Sequence, residues 1–278
     1  MTQMDIISVG NRVMQSILIT VLVTVLIVFT SNRLLANDIY ITQSGNGLDL
    51  DITQDGNNNN VTLSMNGTNN TLNVDQEGTA GNTVTHVAAW GPMYSYGGDI
   101  NGNNNNVKIK QTITTGTDTN RVGFHIMSND NNVDICQGGT FSSSIDTSCS
   151  DSGLPEYGGH TINLDLHSGN NDLRMGQETG SANADHYAQV YTYGGENNDI
   201  FTKQSGNGNK TLSMVIRTDG GEQSLTQRGD GAHTATIDLK GSYHTDLSLT
   251  QYSNSNQSYT LTNTCMTVGG CSVSATQN

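Results

Sequence analysis

The chain has 278 residues and a formal net charge of −14, with 33% hydrophobic and 13% charged residues, 32 Gly and only 2 Pro. So few basic residues against so many acidic ones exclude a phosphate-binding surface, and with it nucleic acid as a partner. Low Pro and low charge, combined with frequent apolar/polar alternation, exclude both a disordered tail and a thick globular core, and predict a thin all-β architecture.

At the N-terminus, Arg12 precedes the apolar run ILITVLVTVLIVF (17–29), and RLLA (33–36) places a small residue before polar sequence. A run of this length falls short of the roughly 20 residues that span a bilayer and fits a secretory h-region, so 1–36 is read as a signal peptide; an uncleaved anchor is the rival reading. Without Arg12, Arg33 and Asp5 the remaining chain has 9 basic against 24 acidic residues, a net charge of −15.

From Ile39 onward, alternating segments repeatedly end in glutamine: Gln43, Gln54, Gln76, Gln111, Gln137, Gln177, Gln204, Gln227 and Gln251. The residue two places earlier is apolar in every case but Thr202, and a period of two puts it on the same face as its Gln. From Gln54 the intervals are 22, 35, 26, 40, 27, 23 and 24 residues, a period near 23 with insertions. Between the glutamines lie second alternating segments: VTLSM (61–65), VGFHIM (122–127), TINLDL (161–166), TLSMVI (211–216), TATIDL (234–239) and SYTLT (258–262). Gly and Asn gather where alternation stops, as in DGNNNN, NGTNN and SNDNN, and both residues reach the positive φ that tight reversals need. The unit is therefore strand, turn, strand, turn.

The fold expected is a flattened two-sheet β-solenoid of about eight coils of about 23 residues, spanning 37–264. Insertions are expected at about 88–106 and 138–160, and a disulfide loop and tail at 265–278. Coils stacked about 4.8 Å apart set each Gln above the next, so the carboxamides bond in a continuous ladder; one buried amide left unpaired costs about 1–3 kcal/mol.

These residues resemble the curlin repeat, whose form is Gln-x-Gly-x-Gly-Asn with a second Gln 11 positions on. QSGNGN (204–209) matches the first half, QRGDGA (227–232) all but its Asn, and QDGNNN (54–59) and QEGTAGN (76–82) match loosely. Gln43 and Gln54 reproduce the 11-residue spacing. Most second strands lack the second Gln, which thins one of the two ladders expected of that family. The resemblance implies an exported structural subunit of a curli-like amyloid fibre, at the surface of or outside a Gram-negative-type bacterium. It also implies self-association or association with related curlin subunits, and passage through a curli-type outer-membrane secretion machinery. The alternatives are a monomeric solenoid adhesin and, further off, a solenoid enzyme acting on polysaccharide.

Other candidate chemistry is sparse. Cys136, Cys149, Cys265 and Cys271 form an even set, read as the local bridges 136–149 and 265–271 rather than as metal ligands. Trp90, Tyr94 and Tyr96 in the first insertion are candidate contacts to surface glycans or host matrix, against the plainer reading that they cover the loop's own base. Tyr187, Tyr191 and Tyr193 are read as an outer row. Seven histidines, among them His233 and His244 at opposite sheets of one coil, show no ligand spacing. Asp49 with Asp51 and Asp165 with Asp238 are the only carboxylates worth weighing for catalysis, and no cleft marks them. No catalytic, metal or cofactor residue is expected.

Overall fold

The computed structural model describes residues 38–278 except 48, 79–80, 85–86, 89–94, 97, 114–115, 117, 128, 142–147, 151–155, 166–169, 171, 193–197, 218–220 and 241–242. The expected signal segment 1–36 lies outside the described residues.

The described chain is all-β and winds as a solenoid. Its long sheet runs in chain order through Asp38–Ser44, Asn60–Asn66, Thr83–Val84, Arg121–Ile126, Thr161–Asn163, His186–Gln189, Lys210–Ser213, His233–Ile237 and Gln257–Leu261. Each is paired in parallel with the next. Parallel pairing between strands about 23 residues apart needs a return strand between each pair, and the glutamine segments supply it. This second sheet is regular at Ile135–Cys136 with Met175–Gly176, and through Thr226–Arg228, Thr245–Tyr252 and Cys271–Gln277. Isolated bridges such as Asp49 to Thr71 and Thr71 to Asn106 carry it elsewhere. The coil count differs slightly from eight: about seven windings run from Gln54 to Gln251, and Cys271–Gln277, expected as loop and tail, is a strand paired with Thr245–Tyr252.

The core is the thin seam between the two sheets. Val61, Val84, Val122, Ile162 and Ala188 stack in one column of the long sheet, and Leu72, Val74, Val107, Ile109, Val133 and Ile135 face them from the return strands. A seam one side chain thick per sheet explains how a chain with 33% hydrophobic residues folds at all.

The first insertion is not the loop after a strand that 88–106 implies. Thr83–Val84 starts a level, in register with Asn60–Val61, and Gly98–Asn101 completes that level, in register with Leu63–Asn66. Residues 85–97 thus interrupt a strand at its middle, and Val87–Ala88 pairs antiparallel with Ser95–Tyr96 within the interruption. The half-strand GDIN has a single aliphatic residue, so it reads as part of the Gly/Asn-rich turn that follows. Gly98 leaves room for the side chains of the coils on either side: a Cβ would lie 2.4 Å from that of Leu63 and 3.0 Å from that of Phe124.

The Gly of Gln-x-Gly meets two demands at once. At Gly206, φ is +106°, and a Cβ would fall 2.3 Å from the carbonyl oxygen of Gly229 one coil on. Gly56 repeats this against Gly78. Stacking at the strand spacing leaves no room for a side chain at these corners. Gly206→Ala is therefore expected to lower the denaturation midpoint, by at least 1 kcal/mol in order of magnitude. Gly269→Ala, where an added Cβ meets nothing within 4 Å, leaves the midpoint unchanged; urea titration of the two variants checks the contrast.

Candidate functional site

The glutamine side chains stack in a column, hydrogen-bonded to one another from Gln54 to Gln204 and again from Gln251 to Gln277, while between these runs the Oε1 atoms of Gln204, Gln227 and Gln251 have no partner. Gln76 Nε2 donates to Gln54 Oε1 at 2.7 Å, Gln111 to Gln76 at 2.6 Å, Gln137 to Gln111 at 2.5 Å, Gln177 to Gln137 at 2.9 Å and Gln204 to Gln177 at 2.5 Å. Gln227 stands in backbone register with Gln251, and Gln251 Nε2 donates to Gln277 Oε1 at 2.8 Å. Gln277 extends the column by a rung that the nine-residue expectation omits, although SVSATQ (272–277) has the same alternation and an apolar residue two places before the Gln.

Gln43 is the exception at the other end. It closes Asp38–Ser44 on the long sheet and occupies the register position of Met65, so it is not a rung of the Gln54 column. Eleven residues are half a winding, and the spacing that suggests a repeat sets Gln43 and Gln54 on opposite sheets of one coil.

Six of the amides also bond across their own coil. Nε2 of Gln76, Gln137, Gln204, Gln227, Gln251 and Gln277 donates to the carbonyl oxygen of Asn60, Arg121, Tyr187, Thr211, Thr234 and Ser258, at 2.9 to 3.3 Å. Those acceptors all belong to one register column of the long sheet, in which Thr83 and Thr161 are the intervening members. The glutamines thus clamp sheet to sheet as well as coil to coil. The backbone at Gln76, Gln111, Gln137 and Gln177 has φ between 48° and 86°, away from strand values. Where main-chain pairing lapses in this way, the side-chain column carries more of the stacking.

A second polar column, invisible to the reading of glutamines, stands just before the long-sheet strands: Asn59, Asn82, Asn120, His160, His186, Lys210 and His233, all buried. Asn82 N donates to Asn59 Oδ1 at 2.9 Å, and His160 N to Asn120 Oδ1 at 3.1 Å. His186 N then donates to His160 Nδ1 at 3.2 Å. The imidazole nitrogen takes the part that the Asn120 oxygen plays one coil earlier. The rings of His160 and His186 stack with centroids 4.8 Å apart. A third column at the opposite corner is all amide: Asn105 N donates to Asn70 Oδ1 and Asn131 N to Asn105 Oδ1.

Burial sets the charge states. It pushes His160 down to about 3 and His186 well below its ordinary value, with the neighbouring His160 and Lys210 adding to the second shift. His233 moves the same way, again chiefly through burial. Lys210 falls to about 8 because it is buried, its Nζ donating to the carbonyl oxygens of Gly208, Gly229 and Gly231 at 2.6, 2.9 and 2.8 Å. Asp165 is raised to about 7 by burial. Asp238 pairs with Lys240 at 2.9 Å, and Asp49 bridges to Thr71 in the return sheet. Asp51 shares the coil of Asp49 and accepts from Asn73 Nδ2 at 3.0 Å, while Asp165 and Asp238 lie on two other coils.

The cysteines join as Cys136–Cys149 and Cys265–Cys271. The first bridge ties the second insertion, closed by a Thr140–Ser150 antiparallel pair, to the outside of the return sheet, where Phe141 and Phe201 pack against it. Tyr157 from the same insertion lies beside Gly116. Tyr187 Oη donates to Gln189, and Arg217 lies over the Tyr191 ring at 5.0 Å. Trp90, Tyr94 and Tyr193 lie outside the described residues, while Tyr96 pairs by its backbone with Val87. His244 bonds Asp246 at 2.5 Å. Among the described residues no group of three or more His, Cys, Asp or Glu is placed to hold a metal ion.

A family model, the curlin associated repeat, matches residues 45–78, which hold Gln54, Gln76 and the turns around them. Over that segment the chain is similar to the curlin repeat, and the same strand–turn–strand–turn winding continues well beyond the matched residues. No curated protein and no solved structure matches it.

The histidine column gives a pH dependence with a definite sign. His160 has a folded pKa of about 3, below its ordinary 6.5. Its contribution is complete above pH 6.5 and is lost as pH falls from 6.5 toward 3, because the unfolded chain takes up a proton that the fold refuses. Asp165, raised to about 7, works oppositely, losing stability as pH rises from 3.8 toward 7. His160→Asn isolates the first effect by continuing the Asn column. The midpoint of H160N is expected to exceed that of the parent chain by a margin that widens from pH 6.5 to pH 4, measured by thermal unfolding across that range.

Proposed function

We propose that the chain is an exported structural subunit of a curli-like extracellular amyloid fibre, built by end-to-end β-stacking of solenoids. The observation that carries this is the open strand edge at both ends. Among the described residues, Asp38–Ser44 is paired only with Asn60–Asn66, and Gln257–Leu261 only with His233–Ile237. An uncovered strand of regular register is a template for another strand, and soluble proteins ordinarily blunt such edges. Interior columns of Gln and Asn add to this, because each rung gains its bonds only from a neighbour that has the same residue in the same place. The curlin repeat belongs to a structural rather than enzymatic family, which agrees with carboxylates scattered along the stack.

On this reading the partners are further curlin-type subunits, delivered through an outer-membrane secretion route, and the insertions project from the fibre toward surface glycans or matrix. The acidic exterior keeps free subunits apart in solution. A monomeric adhesin is the competing outcome.

Incubation of the purified chain lacking residues 1–36 is expected to give unbranched fibres by electron microscopy, with the diffraction spacing of about 4.8 Å along the axis that stacked strands produce. Gln111→Leu, which strands the donor of Gln137 and the acceptor of Gln76, slows fibre formation and lowers subunit stability by about 1–3 kcal/mol. A chain that stays monomeric on a sizing column and gives no fibres after days at high concentration overturns the proposal in favour of the adhesin.

A further inference from the structure

Four Asn-Gly steps stand at turns of the described chain: Asn46–Gly47, Asn66–Gly67, Asn101–Gly102 and Asn207–Gly208, with each asparagine exposed. At such a step a chain modifies itself most readily. A glycine nitrogen, with no Cβ beside it, swings freely onto the side-chain carbonyl carbon of the residue before it.

The fold treats the four steps in two ways. Gly67 N donates to the carbonyl oxygen of Ser44 at 3.3 Å, and Gly102 N to that of Asn66 at 3.0 Å. Asn66 and Asn101 are in strand register, and Asn66 Nδ2 donates to Asn101 Oδ1 at 3.3 Å. Attack at these two steps requires the glycine nitrogen to give up its carbonyl partner first. The other two steps share the stretch Ser-Gly-Asn-Gly, at 44–47 and 205–208. The glycine before each asparagine is left-handed, with φ of +112° at Gly45 and +106° at Gly206. These asparagines therefore have a glycine on both sides. Among the described residues, neither Gly47 N nor Gly208 N donates a hydrogen bond, and the side-chain amides of Asn46 and Asn207 make none.

We propose that Asn46–Gly47 and Asn207–Gly208 are sites of self-catalysed deamidation, and that Asn207 makes this a timer on the stack. The glycine nitrogen attacks Asn Cγ and the Cγ–Nδ2 bond breaks. Nδ2 leaves as ammonia, carrying the proton that the glycine nitrogen loses. Water then opens the succinimide at either carbonyl, giving Asp or isoaspartate. The two sites differ in what the product does. At Gly47 an added Cβ would meet only Asn69 Oδ1, at 3.5 Å, so the longer main chain of isoaspartate has room. At Gly206 and Gly208 it would fall 2.3 Å from the carbonyl oxygens of Gly229 and Asp230. Asn207 N donates to Asp230 Oδ1 at 3.2 Å, and Gly208 O accepts from Lys210 Nζ at 2.6 Å. Isoaspartate at 207 inserts a main-chain carbon between those two bonds, in a corner with no space for one. Deamidation there loosens the stack at one coil, whereas at Asn46 it only adds charge.

Ageing the folded full chain at mildly alkaline pH, with peptide mapping by mass spectrometry, tests the assignment. Asn46 and Asn207 are expected to convert at least about fivefold faster than Asn66 and Asn101, and the four rates to converge in urea. Equal rates at all four sites in the folded chain, or Asn66 and Asn101 leading, overturn it. The timer is read on the Asn46→Asp chain, in which Asn207 is the unprotected step that remains. Its thermal midpoint is expected to match the wild type when fresh and to fall as isoaspartate accumulates at 207. Asn207→Asp, which has the carboxylate without the extra main-chain carbon, keeps a higher midpoint than the aged chain. An aged chain with isoaspartate at 207 that melts like the fresh one overturns the timer.

Discussion

The structure depends on one hydrogen bond repeated at each step of the stack: a group in one coil bonded to a side-chain acceptor in the adjacent coil. Three chemistries serve it here. Gln amides bond to each other, Asn Oδ1 takes a backbone N–H from the following coil, and His160 Nδ1 takes the same N–H from His186. The interior is too narrow for apolar burial alone to hold it. Polar side chains are therefore in the core, and the bonds that hold them come largely from the neighbouring coil. The same condition makes the fold extendable. A rung in the first or last described coil has a neighbouring coil on one side only.

Much of this is legible in the sequence, and the gaps have physical causes. Strand-ending glutamines with an apolar residue two places earlier are visible because strand periodicity is regular there. The Asn columns are hidden inside the turn vocabulary. In each Asn-Asn or Asp-Asn pair the first residue takes the left-handed conformation, as at Asn58, Asn69, Asn104 and Asp130, with φ from 54° to 63°. The second residue is the buried rung. A reading that explains both by positive φ misses half of their purpose. The histidines escape for a different reason: they are equivalent to Asn only as acceptors, and the insertions between Asn82, Asn120, His160 and His186 spoil the spacing that would align them. Gln43 misleads because half a winding and a whole repeat unit look alike when only one sheet has a regular glutamine.

Solenoid coils touch only their neighbours, so an insertion is tolerated wherever it leaves the stack without displacing a column. Both insertions do this. The first departs in mid-strand and returns at Gly98 so that Ile100 regains the column of Met65 and Ile126. The second is pinned outside by Cys136–Cys149 and builds a small core of its own with Phe141 and Phe201. Beneath it Arg174 pairs with Asp134 at 2.9 Å, both buried on what would otherwise be an open outer face. Composition shifts mark where such segments are, but not whether they enter between strands or within one.

Lys210 shows how far the rule of the stack bends before it breaks. It stands in the Asn/His column, yet an ammonium has no lone pair and cannot accept the bond that its neighbours accept. The coil compensates in two ways. Asn209, one residue earlier, accepts from the backbone N–H of Asp185 in the preceding coil. Lys210 turns its donors on the carbonyl oxygens of the glycine turns of its own coil and the next, which lie within reach because those turns have no side chains. The column thus changes the direction of its hydrogen bonds without losing continuity. What the solenoid requires at each rung is a satisfied link to the adjacent coil rather than a particular residue, and that is why a divergent sequence still stacks.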